Sequence, residues 1–438
     1  MLQSKLFSKT VREVPADESS VNAKLLLRAG FVDKLMAGVY SFLPLGLRVL
    51  KKIECVIREE MDRIGGQELL LPAMHPKENW EKTGRWKDPG REVMFQFAGR
   101  GDREYGLGWT HEEIITPLVK KFVHSYKDLP IALYQIQAKF RDEPRAKSGL
   151  LRGREFLMKD LYSFHLEESD LDEFYNTVSL AYRKIFERLG LKALVVEASG
   201  GTFSKYSHEF QVLTPAGEDI VMVCENNRDF VAINKESARK TSLKNLCDFA
   251  QNREITDLEA GGKCPKCGKP VHAERAIEVG NIFKLKTKYS QAFNLAVKDA
   301  GGKDRLALMG CYGIGLGRAM GSIVEVHHDE RGIIWPETVA PFGVHLVALQ
   351  EDIQVRNAAK KLYEALQKAG VEVLYDDCEN ISAGEKLNDA DLIGIPARLI
   401  VSEKSIGADS AELKKRAENT PQILKLKDVV KALGGSMD

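Results

Sequence analysis

The sequence has no long apolar run and no excess of charge of one sign. No stretch approaches the roughly 20 apolar residues that a membrane-crossing helix needs, and the N-terminal segment lacks the apolar core of a signal peptide. We therefore expect no membrane partner and a cytoplasmic location. The 64 Lys and Arg residues offset 63 Asp and Glu residues, which excludes a globally basic nucleic-acid binder but allows a local basic face.

Cysteine is scarce as well. The chain has seven, an odd number and mostly scattered, which indicates reduced thiols in a cytosol. Cys264 and Cys267 stand in "CPKCG" at the spacing of a zinc knuckle, but one such pair is half a site. Cys224 and Cys247 could complete a four-thiolate zinc site. The alternative is a tight glycine turn with free thiols, and both interpretations stay open.

The length of 438 residues allows about two to four domains. Residues 20–36 are predicted to form a helix. A second helix follows Pro44, because apolar residues recur every three or four positions and Gly65 and Gly66 end the pattern. The residues of its apolar face are Leu47, Leu50, Ile53, Ile57, Met61 and Ile64. The next segment, "QELLLPAM", is predicted to be a short buried strand.

The middle of the chain predicts strands with few helices. A helix is expected around residues 112–126, and "HEFQVLTPAGEDIVMVCE" predicts a hairpin that turns at 215–217. Residues 226–273 have weak periodicity and are interpreted as an insertion. The segment "RLALMGCYGIGLGRAMGSIVEVHH" predicts a strand, a glycine-rich turn and a helix. After Pro336, three apolar strands alternate with two helices, which predicts a small α/β unit with neighbouring parallel strands.

Arginine is concentrated in the stretch "FRDEPRAKSGLLRGREFLMKDLYSF". It contains Arg141, Arg145, Arg152 and Arg154, interleaved with acidic residues. Two strands joined by a loop would place Arg141 and Glu143 on one face, and Arg152, Arg154 and Phe156 on one face of the return strand. Arginine forks bind phosphate oxygens, and an aromatic ring can stack on a purine. The stretch therefore favours a nucleotide polyphosphate site, with a solvated charged hairpin as the alternative.

Six segments, in order, resemble the prolyl-tRNA synthetases of the bacterial form, a family of class II aminoacyl-tRNA synthetases. The stretch just described resembles their motif 2. Their motif 1 is similar to the segment "GVYSFLPLGLRVLKKIECVIREEMDRIGGQELLLPAMHP" of this chain. Their motif 3 is similar to the segment "GCYGIGLGRAMGSIVEVHHDERGIIWP". The segments "LGWTHEEIITPLV", "SHEFQVL" and "IEVGNIFKLKTKYS" match as well. Any one of these motifs alone would be weak support. The resemblance runs from about Phe7 to the C-terminus.

This resemblance implies an α/β protein with an α+β catalytic core, in which an antiparallel sheet is flanked by helices. The catalytic domain is expected to cover residues 1–338, with motif 1 at about 36–76, motif 2 at about 137–165 and motif 3 at about 308–336. Residues 339–438 would be a smaller α/β domain that binds the anticodon. Motif 1 forms the class II dimer interface, which implies a homodimer.

The resemblance also implies the reaction. Proline's carboxylate attacks the α-phosphate of ATP to give prolyl-adenylate and pyrophosphate, and the 3′-terminal ribose of tRNA(Pro) then takes the prolyl group and releases AMP. Two anions must meet, so cations must screen them; Mg²⁺ would bridge the phosphates. Arg141, Glu143 and Arg318 are the expected catalytic residues. The expected ATP contacts add Arg152, Phe156, Glu209 and Gln211.

The choice of proline is expected to lie in "WTHEE". Thr110 and Glu112 stand two residues apart, so on an extended segment they share a face, and in the family they hold proline's nitrogen. The resemblance adds His208, Cys311 and Gly313 to this pocket. Trp109 stands where the family more often has proline. The alternative for Thr110 and the acidic residues after it is a helix N-cap with an acidic first turn, and both roles can hold together.

Two expectations concern tRNA. The insertion at 226–273 is too short for the editing domain that bacterial relatives carry, so we expect no editing in cis, with a separate hydrolase clearing errors. In the C-terminal domain, basic residues could meet phosphates and carboxylates could read bases, although a solvated charged face is the alternative. The candidate residues for the anticodon are Asp376, Asp377, Lys386, Glu412, Lys414 and Arg416.

The sequence has two alternative functional interpretations. A class II paralogue could bind or activate an amino acid without charging tRNA, but the ATP motifs and a full C-terminal domain argue against it. A ligase for threonine, serine or another amino acid is the second alternative. Threonyl enzymes would place a zinc-binding cysteine and histidine set in the pocket, and the sequence shows no such set.

Overall fold

The computed structural model describes residues 1–13, 18–144, 146–198, 207–225, 231–234, 262–264 and 268–434. Most of the predicted insertion at 226–273 therefore lies outside the described residues, as do Arg145, Cys247 and Cys267. None of the helices in these ranges has both the length and the apolar character that crossing a bilayer requires.

The helices of the described part are mostly short. They are α1 (Val21–Arg28), α2 (Pro44–Arg63), α3 (Lys77–Glu81), α4 (Glu112–Val119), α5 (Glu168–Arg188), α6 (Lys288–Phe293), α7 (Leu316–Val326), α8 (Ile353–Lys368), α9 (Ala383–Ile393), α10 (Glu403–Gly407) and α11 (Val429–Ala432).

Strands dominate the middle of the chain. They are β1 (Val32–Met36), β2 (Val39–Phe42), β3 (Gln67–Glu68), β4 (Met74–Pro76), β5 (Gln96–Ala98), β6 (Glu104–Leu107), β7 (Ile131–Phe140), β8 (Glu155–His165), β9 (Ala193–Ala198), β10 (Ser207–Leu213), β11 (Asp219–Cys224), β12 (Val231–Asn234), β13 (Val271–Lys286), β14 (Ala296–Lys298), β15 (Asp304–Leu306), β16 (Leu308–Gly315), β17 (His328–Asp329), β18 (Gly332–Ile333), β19 (Val344–Ala348), β20 (Val373–Asp376), β21 (Ala397–Val401), β22 (Ser410–Lys415) and β23 (Gln422–Lys425).

The chain forms two compact units. One comprises Met36–Val39 and Ile53–Ser322, and the other comprises Met1–Leu35, Tyr40–Lys52 and Ile323–Asp438. The predicted domains, residues 1–338 and 339–438, are based on the family resemblance and not on compactness. They stay a prediction.

The first unit is built on a nine-stranded sheet in the order β10-β9-β12-β11-β13-β16-β8-β7-β3, in which most neighbours are antiparallel. The strand β16 is buried along its whole length, and so are the last seven residues of β8. The helix α5 buries one apolar face that includes Tyr175, Tyr182 and Phe186. An antiparallel sheet covered by helices confirms the predicted fold of the catalytic core.

The second unit contains a five-stranded sheet in the order β20-β19-β21-β22-β23. The strand β19 is parallel to both β20 and β21, which confirms the predicted α/β pattern of neighbouring parallel strands. The N-terminal residues belong to this unit: the Met1 ammonium donates to Val373 O at 2.7 Å, and Leu2 forms a bridge with Tyr375. The start of the chain thus extends the edge of this sheet.

Two predicted elements near the N-terminus are wrong in part. The helix expected over 20–36 ends at Arg28, because Gly30 turns the chain with a φ of +69° and the following residues pair as β1. The strand expected in "QELLLPAM" is limited to the exposed pair Gln67–Glu68. The helix predicted after Pro44 is confirmed, with proline at its start and Gly65 after its end.

The predicted hairpin and the predicted glycine-rich turn are also wrong in part. The chain does turn where the hairpin was expected, since Gly217 N donates to Thr214 O at 3.0 Å. The strands β10 and β11 do not pair with each other over 215–217; both pair with β13, whose sixteen residues are long enough to accept them in succession. Of the glycines expected to form a turn in motif 3, Gly310, Gly313 and Gly315 instead lie inside β16, and Gly317 is the second residue of α7. At Gly310 the reason is space, since a Cβ would lie 2.2 Å from the Tyr312 hydroxyl.

Gly394 directly follows the last residue of α9, and it offers a test of whether close packing requires a glycine. Its φ is +78°, and a Cβ there would lie 2.1 Å from Ile333 O. We expect Gly394→Ala to lower the free energy of unfolding by at least about 2 kcal/mol, because both the backbone and the neighbour oppose a side chain. Urea unfolding followed by circular dichroism measures it.

Gly384, in the first turn of the same helix, is the matched control. Its Cβ would meet no atom within 4 Å, so Gly384→Ala should leave stability unchanged or raise it by up to about 1 kcal/mol. Equal destabilisation by the two variants would contradict the proposed role of the close approach.

Candidate active site

The connection between β7 and β8 carries the arginines of motif 2. Phe140 pairs with Glu155 at the strand ends, and Arg141 N donates to Arg154 O at 2.8 Å. The prediction that Arg141 and Arg152 lie on strands is therefore wrong in detail, because both stand just beyond the last paired residues. The two ends of the connection are nevertheless held together, and Arg141 and Arg152 line one cavity.

These side chains line a cavity in the first unit. It encloses about 560 Å³ of space, including its open mouth, and six of the predicted site residues line it. They are Arg141, Glu143, Arg152, Phe156, Gly313 and Arg318. The cavity also contains Glu278 and Asn281 from β13. Motifs 2 and 3, separated by more than 100 residues along the chain, thus meet at one place.

The guanidinium groups in the cavity are held in fixed directions. Arg318 Nε donates to Leu151 O at 2.9 Å, and its Nη1 lies 3.2 Å from Glu278 Oε2. Arg152 Nε lies 2.9 Å from Glu143 Oε2. The Arg141 guanidinium lies over the Phe156 ring, 5.2 Å from its centroid. Burial, together with repulsion from Arg318, lowers the pKa of Arg141. Such a cluster of cations is suited to a polyanion.

The loop between β6 and α4 places a second group of polar residues next to this cavity. Thr110 Oγ1 donates to Glu112 Oε2 at 2.5 Å, and the Cys311 thiol lies 3.4 Å from Glu112 Oε1. All three side chains are buried. Arg141 joins the loop to the cavity, since its Nε donates to Trp109 O at 3.4 Å. The structure therefore brings Thr110, Glu112 and Cys311 together as the sequence predicted.

The alternative of a helix cap holds only in part. The helix α4 begins at Glu112 with two acidic residues in its first turn, which suits the helix dipole. His111, however, occupies the N-cap position, and no side chain caps the helix. The Thr110 hydroxyl is used to orient the Glu112 carboxylate. Burial and the Glu112 charge raise the pKa of the Cys311 thiol, which agrees with its expected role as a pocket wall.

Three predicted residues lie on β10, away from the cavity wall. Within the described ranges, the lining of the cavity includes neither His208, Glu209 nor Gln211. His208 Nδ1 lies 2.7 Å from the Tyr175 hydroxyl, and burial lowers the pKa of His208 to about 4. An interior histidine of this kind stays neutral at physiological pH.

Gln211 connects a group of carboxylates behind the cavity. Its Nε2 donates to Glu209 Oε2 at 2.8 Å and to Asp219 Oδ2 at 3.0 Å, and its backbone pairs with Glu278 of the cavity wall. Burial, together with the charge of Glu278, raises the pKa of Glu209 to about 8. In the described ranges, the buried Gln211 Oε1 has no hydrogen-bond partner. Oxygen atoms of this kind suit a hard divalent cation.

Sequence reasoning did not identify Arg85, which follows α3 in "NWEKTGRWKDPG". Its side chain is 5% exposed, and its Nη1 lies 3.2 Å from Glu112 Oε2 and 2.8 Å from the Tyr289 hydroxyl. The signal that could have revealed it is an arginine between two tryptophans in an otherwise ordinary helix end. The spacing of these residues does not indicate that Glu112 is the partner of Arg85.

The candidate residues for the anticodon are distributed unevenly between interior and surface. Asp376, Lys386 and Arg416 are buried; Lys386 Nζ donates to Ala348 O at 3.0 Å, and Arg416 pairs with Asp329. Asp377 is partly exposed and accepts from Ser4 N at 2.9 Å.

Glu412 and Lys414 lie on β22 and are partly exposed. Together with Asp377 they are the candidates whose side chains reach solvent. A direct contact between RNA and any of the six stays a prediction.

The candidate thiolates are only partly described. Cys224 ends β11, and Cys264 donates its backbone N–H to Lys269 O at 2.8 Å; both thiols are buried. Gly268 turns the chain beside them with a φ of +70°. Cys247 and Cys267 lie outside the described residues, within which no group of three or more metal-binding side chains occurs. Both interpretations of this segment, a zinc site and a glycine turn, stay predictions.

The chain matches two known families of domains. Residues 95–327 match the class II core domain of the tRNA synthetases for G, H, P, S and T, and residues 339–435 match an anticodon binding domain.

Curated relatives share about a third of their residues with the chain. The proline–tRNA ligase of Geotalea daltonii is 36% identical, with 100% of this chain and 99% of that protein covered. The proline–tRNA ligase of Moorella thermoacetica is 38% identical, with 96% of each covered.

A solved structure shares the fold. The prolyl-tRNA synthetase of Giardia lamblia in complex with prolyl-adenylate has a TM-score of 0.74 and 19% sequence identity. The comparison covers 93% of this chain and 74% of that one.

Glu209 predicts a pH effect on stability. Because its pKa rises from 4.5 to about 8 on folding, the folded chain keeps a proton that the unfolded chain releases, so the free energy of unfolding falls as pH rises between these values. We expect Glu209→Gln to flatten this decline, measured by urea unfolding at pH 5 to 9. The exposed Glu173→Gln is the control. An unchanged slope in Glu209→Gln would contradict the assignment.

Proposed function

The chain belongs to the proline–tRNA ligase family of class II tRNA synthetases, and we propose that the cavity and the Thr110–Glu112 loop carry out its reaction. That reaction joins L-proline to tRNA in two steps. A carboxylate oxygen of proline attacks the α-phosphorus of ATP, and pyrophosphate leaves. A hydroxyl of the terminal ribose of tRNA then attacks the carbonyl carbon, and AMP leaves.

The observation that carries this proposal is the position of Arg141. It lines the nucleotide cavity with Arg318, and its Nε donates to the backbone oxygen next to Thr110. A carboxylate and a phosphate that approach Arg141 from its two sides would both be screened by one guanidinium. Arg318 and Arg152 offer donors to the remaining phosphates, and Phe156 supplies a flat face for the adenine.

Proline itself is proposed to bind at Glu112. Its ring nitrogen is a secondary ammonium with two N–H donors, and Thr110 and Glu112 present a hydroxyl and a carboxylate on one side of the loop. Cys311 and Gly313 from β16 form the adjacent wall. In this arrangement the ammonium meets Glu112 while the carboxylate points toward Arg141, which is the orientation that the first step requires.

Mg²⁺ is proposed to bind beside the same cavity. Glu209 and Glu278 supply carboxylate oxygens, and Gln211 Oε1 is a further oxygen behind them. Magnesium usually takes one or two protein carboxylates and completes its shell with water and phosphate oxygens, so this set fits the ion. When bound, it would neutralise charge on the pyrophosphate portion of ATP.

Further proposals concern assembly and location. A homodimer is supported by exposed apolar side chains in the segment that resembles motif 1: Met36, Leu70 and Met74 are all more than half exposed. Scattered cysteines favour the cytoplasm. Residues 339–438 are proposed to bind the anticodon loop of tRNA(Pro).

Proline-dependent exchange of pyrophosphate into ATP tests the function. We expect exchange with proline to be the fastest, with alanine slower by up to about 200-fold, followed by charging of tRNA(Pro). Arg141→Ala should reduce the exchange rate by a factor of at least about 100, because the same guanidinium screens the repulsion between the two reacting anions.

The exposed Arg103→Ala is the control for this substitution and should exchange at the original rate. Faster exchange with another amino acid than with proline would reject proline as the substrate. A folded Arg141→Ala protein that forms adenylate at full speed would reject the catalytic role.

The short insertion predicts a mischarging phenotype. The alignment with the Geotalea daltonii enzyme runs over 569 positions against 438 residues in this chain, so at least 131 positions (569 less 438) have no counterpart here. We propose that the missing positions include an editing domain. Discrimination by a small apolar pocket rarely exceeds about 200-fold, so alanyl-tRNA(Pro) should form and persist.

The measurement is the release of alanine from preformed alanyl-tRNA(Pro). We expect this protein alone to leave the ester intact and a separate trans-editing hydrolase to cleave it. Rapid release by this chain alone would contradict the absence of editing in cis.

A further inference from the structure

Arg85 is a buried cation at the back of the proposed proline pocket. Its Nη1 lies 3.2 Å from Glu112 Oε2, 3.1 Å from Glu113 Oε1 and 2.8 Å from the Tyr289 hydroxyl. Both glutamates are fully buried. A guanidinium that touches two carboxylates and a phenol in the interior is a costly arrangement to maintain unless it serves a purpose or is fully compensated.

Aromatic rings hold this guanidinium in place. It lies over the indole of Trp109, 4.0 Å from the ring centroid, and 5.5 Å from that of Trp80. The two indoles are themselves stacked, with centroids 5.8 Å apart. Trp109 directly precedes Thr110, so one short loop supplies both the ring that holds Arg85 and the carboxylate that Arg85 contacts. Any shift of the guanidinium would therefore be transmitted to that loop.

The Glu112 carboxylate is oriented by donors on both of its oxygens. Oε2 accepts from Thr110 and Arg85, and Oε1 accepts from the Cys311 thiol. Removing Arg85 would leave one oxygen held by a hydroxyl alone. A carboxylate held on both oxygens presents its remaining lone pairs in a fixed direction, as recognition of a ring nitrogen requires.

Arg85 balances only one of the two glutamates that it contacts. Glu112 and Glu113 contribute two negative charges when both are ionised, and Arg85 contributes one positive charge. The remaining negative charge equals the single positive charge of proline's ammonium. Without Arg85, two buried carboxylates on adjacent residues would compete for a proton, and burial already raises the pKa of Glu113 to about 7.

We propose that Arg85, held on the Trp109 ring, is a positioning residue for proline recognition. It fixes the Glu112 carboxylate toward the ring nitrogen and compensates the charge of Glu113, so that one unit of negative charge is left for the ammonium. The proposal rests on the proposed function of Glu112. It assigns Arg85 no contact with the substrate and no part in the chemical steps.

Four proteins test the proposal: Arg85→Met, Arg85→Lys, the double variant Arg85→Met with Glu113→Gln, and Arg91→Met. Arg91 is exposed and lies in the same segment of the chain, so it is the matched control for the substitution. Pyrophosphate exchange is measured with proline varied at saturating ATP, and then with ATP varied at saturating proline. Circular dichroism establishes that each protein is folded.

We expect Arg85→Met to raise the KM for proline roughly 30-fold or more, because it removes one partner of a buried charge pair. The KM for ATP should change less than about threefold, since the nucleotide cavity does not include Arg85. Arg85→Lys keeps the charge and should recover part of the loss. The double variant removes the second carboxylate and should lower the KM for proline roughly tenfold from that of Arg85→Met.

Three results would overturn the proposal. One is an unchanged KM for proline in a folded Arg85→Met protein. Another is an equal rise in the KM for proline and for ATP, which would indicate general damage to the fold. The third is a double variant no better than Arg85→Met, which would remove the charge argument. Failure of the proposed function itself is distinct, because the unaltered protein would then show no proline-dependent exchange.

Discussion

The Glu112 carboxylate is the group on which the rest of the site depends. It lies in the interior and is held by a hydroxyl from its own loop, by Arg85 from an earlier segment and by the Cys311 thiol from β16. The orientation of this carboxylate therefore depends on three separate parts of the chain. An ionised carboxylate in the interior is tolerated only with such partners, so the recognition role proposed for Glu112 depends on the packing around it.

The loop that carries Glu112 is also supported from the sheet. Lys139 Nζ lies 2.6 Å from Asp160 Oδ1, and Asp160 Oδ2 accepts from the Tyr162 hydroxyl at 3.0 Å. That hydroxyl in turn accepts from His111 N at 3.1 Å. Neighbouring strands thus hold the loop through a chain of buried hydrogen bonds. Networks of this kind are rigid, because a buried polar group that loses its hydrogen-bond partner has no water to replace it.

Local patterns predicted much of the architecture. Apolar spacing and the positions of glycine and proline act over short distances. They set the helix after Pro44, the alternating strands and helices after Pro336, and the two strands that flank the loop of motif 2. Two of the failures have a common cause. The pairing of β10 and β11 with β13, and the continuation of β16 through its glycines, depend on strands distant in sequence. Spacing within either segment contains no information about such partners.

The sequence by itself determined the residue types of the site: the arginines of motifs 2 and 3, Thr110 and Glu112 at a cofacial spacing, and the family to which they belong. Only the tertiary structure decided which of them share a cavity, that Glu209 and Gln211 lie behind its wall, and that Arg85 contacts both Glu112 and Glu113. The physical reason is that residue chemistry is local, whereas the compensation of buried charge is a property of the space into which distant segments fold.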